Sequence, residues 1–423
     1  MVCRSVAIKG SLYFISTSER RPVLKGITVL ILVIALVGLA TSVTLGAVDS
    51  VDILIKVLVE KNIITRDDAA TVRAEIANIR QEEDAKKKSF NVSGKRPVKL
   101  SGYVQERYVD SVAANSNGNL EARRVRLSLA GDATEKVDFK VQVDFAGSRK
   151  GLTDAALVPN DDPEQIKLNN KSANFGKPTL LDAVIGYRLG DERKLSVGQF
   201  KIPFGLENLT SSTNLDTINR SLVTESLVPG RDTGNQGRDL GVQYSNIVQF
   251  DEDGAKSIEY YLGVFNGSGI NVGDDSTRKD PAARIVWKPG THGLALGASY
   301  FIGSVGAVKV DHNRLGGELV YAVGPWGLKG EYIRAKDAAT GKHGWYTTLV
   351  RQISSDTQFV TRYDLLDPDN NANDDNTGTW TFGFNKFLNK DGYTRWQVNY
   401  ERRREEGTQV PNNQFLAQFQ AGF

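Results

Sequence analysis

Residues 122–146 read ARRVRLSLAGDATEKVDFKVQVDFA, and the fold follows from their period. Val125, Leu127 and Leu129 alternate with Arg124, Arg126 and Ser128. After a turn at Gly131 to Glu135, Val137, Phe139, Val141, Val143 and Phe145 alternate with Asp138, Lys140, Gln142 and Asp144. A period of two belongs to a β-strand, whose successive side chains leave opposite faces. The stretch therefore predicts an antiparallel hairpin with one apolar and one charged face.

Working outward, the same pattern runs to the C-terminus. Leu294, Leu296, Ala298, Tyr300 and Ile302 share one phase, Thr394, Trp396, Val398 and Tyr400 face away from Arg395, Gln397 and Asn399, and the chain ends on Phe415, Ala417, Phe419, Ala421 and Phe423. Sixteen candidate strands begin near Val98, Ala122, Lys136, Leu180, Glu192, Arg238, Ser257, Ala282, His292, Arg314, Trp326, Lys342, Asp356, Thr379, Tyr393 and Asn413. Short turns at 131–135, 190–191, 289–291, 324–325, 354–355 and 389–392 alternate with long polar loops at 110–121, 147–179, 201–237, 266–280, 366–378 and 402–412. An even strand number, with short turns on one rim and long loops on the other, predicts an all-β transmembrane barrel of 16 antiparallel strands. A soluble β-sandwich or β-solenoid with one wet face would alternate as well. The two classes of connection, the strand-end aromatics Tyr108, Tyr187, Trp287, Trp326, Tyr332 and Trp345, and the terminal Phe423 favour the barrel. The connection Val248 to Lys256 is longer than its place on the short-turn rim predicts.

The N-terminal part has a different pattern. Arg20, Arg21 and Lys25 precede an apolar run from Ile27 to Ala40 that ends in small residues, so residues 1–47 are expected to be a secretory signal with a long n-region. An uncleaved anchor is the competing reading of the same run. In residues 48–96, Val51, Leu54, Ile55 and Leu58, then Val72, Ile76 and Ile79, take helical spacing, with Thr65 and Asp68 as a helix start. This predicts a short N-terminal α-helical region, a periplasmic helical or coiled-coil segment with a linker, before the barrel at 97–423.

Composition excludes several function classes. The 423 residues are 40% hydrophobic and the mean hydropathy is below zero, which excludes a helical-bundle membrane protein but not a barrel, whose strands show lipid every second residue. A net charge of +3 indicates no nucleic-acid partner. The single cysteine, Cys3, lies in the segment expected to be removed. His292, His312 and His343 fall in or beside connections without an HExxH motif, and no G-x-S-x-G elbow occurs. A hydrolase with a scattered Ser/His pair stays open, because triads are defined by geometry. Asp367, Asp369, Asp374 and Asp375 approach calcium-loop spacing but lack its Gly and its closing Glu, so they read as a solvated loop. No catalytic residue, metal or cofactor is expected.

Cations on the inward phase remain. With the apolar phase toward lipid, Arg124, Arg126, Lys140, Arg188, Arg284, Lys288, Lys329, Arg362 and Arg395 face the bore, together with Asp138, Asp144, Asp182, Glu318, Glu331 and Glu401. Lysine and arginine rings favour anions in a pore. A lumen lined by both signs is the blander reading.

Residues 198–212, GQFKIPFGLENLTSS, interrupt the alternation. Pro203 cannot donate to a ladder and Gly205 frees the backbone, so the strand breaks at Ile202 to Gly205. The connection Lys201 to Gly237, the longest in the barrel, is expected to turn into the bore as a constriction loop.

This stretch and residues 122–146 resemble the phosphate-selective porin O and P family of Gram-negative outer membranes, over about Lys99 to Phe423. The resemblance implies a passive porin for small anions such as phosphate, located in outer-membrane lipid and assembled as a homotrimer. By the same likeness Arg123, Arg124, Ser211, Ser212 and Arg220 form an anion site; the inward phase and the loop add Arg126 and Lys201, which with Arg124 and Arg220 are expected to make weak, successive sites along the path. The chain departs from the family pattern at Thr213, where a lysine would follow the paired serines, and at Gln199. Ideal alternation sends Arg123 outward when Arg124 faces in, unless a bulge intervenes. A general porin without anion selectivity, and a structural or adhesive envelope barrel contacting the cell wall through its helices, are the alternatives.

Overall fold

The computed structural model describes residues 89–91, 96–112, 118–146, 178–251, 254–274, 277–291, 293–305 and 309–423. The signal, most of the helical segment and His292 lie outside the described residues.

The barrel strands are β1 (Pro97–Ser111), β2 (Asn119–Asp132), β3 (Val137–Asp144), β4 (Thr179–Arg188), β5 (Arg193–Lys201), β6 (Arg238–Gln249), β7 (Lys256–Phe265) and β8 (Asp280–Pro289). They continue as β9 (Ala295–Val305), β10 (Val310–Val323), β11 (Trp326–Asp337), β12 (Thr340–Ser354), β13 (Thr357–Asp367), β14 (Thr377–Phe387), β15 (Arg395–Glu405) and β16 (Gln414–Gly422). Each pairs antiparallel with the next, and β16 pairs with β1 from Gln414↔Ser111 to Gly422↔Tyr103, which closes a 16-stranded barrel. Gly102 and Phe423 exchange backbone hydrogen bonds of 3.0 Å at the seam. Closure removes the sheet edge, the condition for a β-structure to stand in lipid. A three-residue strand, Ser89–Asn91, pairs antiparallel with residues 97–99. It was not foreseen in a segment read as helix and linker.

The alternation sorts side chains as the sequence predicts. Val141, Ile185, Val197, Leu262, Ile285, Leu315 and Phe384 are exposed outward, whereas Arg126, Asp144, Asp182, Arg284, Glu318 and Arg362 are buried on the inward phase. The inward carboxylates and cations pair across strands: Arg126–Asp144 at 2.8 Å, Lys140–Asp182 at 2.7 Å, and Arg284 with Glu318. The lumen thus carries both signs. All sixteen strands lie at the expected places. The regular succession of short and long connections fails at two points on the long-loop rim: β9 and β10 are joined by residues 306–309, and β11 and β12 by only Ala338 and Ala339.

Candidate functional site

The segment 202–237 leaves β5 and folds into the bore. It contains α1 (Leu206–Leu209), a 3-10 turn (Ser212–Asn214) and α2 (Leu222–Leu227). Gly205 makes the entry possible, with φ 72° and ψ 163°, a region essentially confined to glycine. An added Cβ there would stand 2.5 Å from Glu331 Oε1. Gly205→Ala is therefore expected to weaken loop docking by about 1–3 kcal/mol, seen as faster trypsin cleavage within 206–237 of the folded barrel.

Two kinds of contact hold the loop. Its apolar heel, Ile202, Phe204, Val223, Leu227 and Val228, packs with Phe265, Phe301, Ile333, Ala335 and Tyr346 of the barrel wall, all 3% exposed or less. Those wall residues are on the inward phase, where the sequence pattern predicts polar side chains. The departure itself marks the docking wall. The α1 turn has no side-chain cap of its own. Glu331 of β11 replaces one, accepting from Leu206 N at 2.7 Å and Glu207 N at 2.9 Å while Tyr346 Oη donates to it at 2.5 Å. Farther along, Arg362 Nη1 donates to Thr217 Oγ1 (2.5 Å) and Asn219 O (2.9 Å), Arg395 donates to Leu215 O (3.0 Å), and Asn399 Oδ1 accepts from Ile218 N (2.7 Å). Lys329 pairs with Asp216 at 2.7 Å.

The cations of the expected anion site meet where the loop faces β1 to β4. Gln105 pairs with Arg124 and Glu106 with Ala122, so Arg123 is the extra residue of a bulge. A bulge lets neighbouring residues leave the ideal alternation. The charge of Arg123 interacts with Glu225 of the loop as well as with Arg107 and Glu121, which fits an inward position. Arg124, 6% exposed, donates from Nη1 to Gln105 Oε1 at 2.9 Å. Arg126 bonds Asp144, Ser212 Oγ (3.3 Å) and Gln236 Oε1 (2.6 Å). Lys201 Nζ donates to the carbonyls of Leu209 and Thr210, both at 3.1 Å, and Arg220 donates to those of Glu207 (3.1 Å) and Thr210 (2.8 Å). Ser211 caps the 3-10 turn and lies 2.8 Å from Thr213 Oγ1.

One cavity of about 310 Å³ brings together Arg126, Lys201, Ser211 and Ser212 with Tyr103, Lys140, Asp182 and Arg238. Arg123, Arg124 and Arg220 do not line it. Arg220 adjoins it through the Thr210 carbonyl that it shares with Lys201, and Arg124 feels the charges of Arg123, Arg126 and Arg220. Tyr103 and Asp182 were not singled out for the site by sequence reasoning. Their signal is register, since Tyr103 stands opposite Arg126 and Asp182 opposite Gln142.

Charge compensation is uneven. Arg126 has Asp144, Arg238 and Lys140 share Asp182, and Arg231 has Glu225 at 3.0 Å. Arg123, Arg124, Lys201 and Arg220 have no carboxylate within ion-pair distance among the described residues. Carbonyl and amide oxygens solvate the last three of these without cancelling their charge. Within the loop, burial, with Arg220 nearby, pushes the Arg231 guanidinium down to about 9, against Glu225 and Glu207, so it stays charged at neutral pH.

Residues 98–304, from β1 to the end of β9 and including the whole inward loop, match the family model of phosphate-selective porin O and P. The chain belongs to this family. Its barrel is that of an outer-membrane porin, and solved structures agree in fold. An anion-selective porin from Comamonas acidovorans superposes with a TM-score of 0.54 at 15% identity, covering 78% of this chain and 100% of that one. The outer membrane channel DcaP of Acinetobacter baumannii gives 0.54 at 12% identity over 79% and 99%. Salmonella typhi OmpF, solved with daunomycin, gives 0.52 at 10% over 79% and 100%. An uncharacterized protein of Aquifex aeolicus (strain VF5) is 27% identical over 233 residues, 52% of this porin and 48% of that protein. The porin therefore spans about half the length of the curated relative it matches.

Proposed function

We propose that this porin passes small anions, phosphate among them, by passive diffusion between the inward loop and the β1 to β4 wall. One observation carries the reading: positive charge without carboxylate partners, on Arg123, Arg124, Lys201 and Arg220, is gathered at that junction. A cation fixed in a narrow site of low dielectric attracts anions more strongly than one in open water. Several weak sites in succession, continued by Arg126, let an anion enter and leave without being trapped. The reading takes residues 1–47 as a secretory signal, 48–96 as a periplasmic helical segment and a homotrimer as the assembly, on the sequence and the family likeness.

A second reading, a general porin without anion selectivity, is favoured by two positions. Gln199 spends its amide on Leu180 O (2.7 Å) and Asn271 N (2.8 Å), and Thr213 Oγ1 bonds Ser211 and Asn214, so neither adds a cation to the site. Reversal potentials in planar bilayers under a KCl gradient separate the two readings. The anion reading expects a potential on the chloride side of zero, larger at 0.1 M than at 1 M because the screening length shrinks from about 10 to about 3 Å. A potential at zero or on the potassium side would leave the general porin.

A further inference from the structure

The lipid-facing surface holds cations that the bore cannot use. On β11 the outward phase runs Trp326, Leu328, Gly330, Tyr332 and then, toward the long-loop rim, Arg334 and Lys336. On β15 it runs Trp396, Val398, Tyr400 and then Arg402 and Arg404. The intervening residues Glu331, Ile333 and Ala335, and Gln397, Asn399 and Glu401, are buried toward the lumen, which fixes the phase of both strands. Each strand thus ends its apolar face on a tyrosine and follows it with two exposed basic residues two positions apart. Among the described residues, none of these four side chains has an ion pair or a side-chain hydrogen bond. Two carboxylates near this rim are engaged elsewhere: Asp367 faces His343 at 3.4 Å and Asp311 faces Arg278 at 3.1 Å.

Between the two strands lies a row of rings on the same outer surface. Trp345 and Tyr363 are 5.5 Å apart, Tyr363 and Trp380 4.8 Å, and Trp380 stacks on Phe382 at 5.8 Å. Aromatic girdles mark the level where hydrocarbon gives way to headgroups. A cation just above the girdle meets headgroups, and one left beside hydrocarbon without an anion is costly. Arginine matches phosphate oxygens with its planar fork.

We infer that Arg334 with Lys336, and Arg402 with Arg404, bind the phosphates of a lipid headgroup in the outer leaflet, with its acyl chains resting against the aromatic row. The strands are four inter-strand spacings apart, roughly 19 Å, so each pair takes its own phosphate group. The occupant is a lipid that carries two phosphate groups rather than free phosphate, because the side chains stand in two separate pairs on the lipid phase and outside any cavity on the lumen side.

The test uses the full porin in detergent, incubated with diphosphorylated lipid A, washed, and analysed by native mass spectrometry. The wild type is expected to retain lipid, and the R334Q/K336Q/R402Q/R404Q variant to retain at least fivefold less, with conductance and reversal potential unchanged. The paired variants R334Q/K336Q and R402Q/R404Q give intermediate losses, and they serve if the quadruple variant fails to fold. Equal retention by wild type and variants, equal retention of dephosphorylated lipid A, or displacement of the lipid by millimolar inorganic phosphate would each overturn the assignment.

Discussion

Replacing Arg124 by glutamine is expected to lower the anion-to-cation permeability ratio at least threefold, and Arg123→Gln/Arg124→Gln to lower it further. A unit charge about 6 Å from a permeating ion contributes roughly 0.7 kcal/mol in bulk water and roughly 2.8 kcal/mol at an effective dielectric constant of about 20. The smaller figure is already about threefold. Arg124 suits the experiment because its hydrogen bond runs to another wall side chain, Gln105, and it does not hold the loop. Arg220 is less clean, since its removal also releases the carbonyls of Glu207 and Thr210. Lys329→Gln supplies the control: its charge is already paired with Asp216, so a smaller change is expected. Reversal potentials that stay at the wild-type value in both arginine variants would remove these side chains from the mechanism.

Glu331→Ala should open the pore. The carboxylate of Glu331 receives the Leu206 and Glu207 amides and the Tyr346 hydroxyl. Hydrogen bonds to a charged group contribute about 1.5–3 kcal/mol each, so loss of the group removes several kcal/mol of docking energy and leaves buried donors without a partner. Phe204→Ala acts on the apolar heel of the same loop and is expected to cost about 3–5 kcal/mol. In both variants single-channel conductance should rise and become noisier, and trypsin should cut after Arg220 or Arg231. The barrel itself should persist, because its ladder closes on itself without the loop. Heat-dependent gel mobility would register that persistence. Glu331→Gln, which keeps an acceptor oxygen, should fall between wild type and alanine. A conductance unaffected by either Glu331→Ala or Phe204→Ala would show that the loop does not limit flow.

Much of this architecture is local information. The alternation at Val125 to Phe145 and at Trp396 to Tyr400 is a property of neighbouring residues, so strand positions and the lipid-facing phase could be read directly. Pro203 and Gly205 likewise act on their own backbone, and they announced where the chain would leave the sheet. The orientation of Arg123 and the wall that receives Phe204 are another matter. Arg123 turns inward because β1 and β2 slip by one residue between Gln105 and Glu106, a relation between two segments that neither contains alone. Glu331 looked like one more lumenal carboxylate, and its role exists only because the loop meets it 124 and 125 residues along the chain.

The sequence by itself determined a closed, two-faced cylinder with an interrupted strand, because side-chain period and backbone breakers operate over a few residues. Only the tertiary structure decided which cations stand without carboxylates and which wall secures the loop, because those depend on register and on contacts between distant strands that no local pattern encodes.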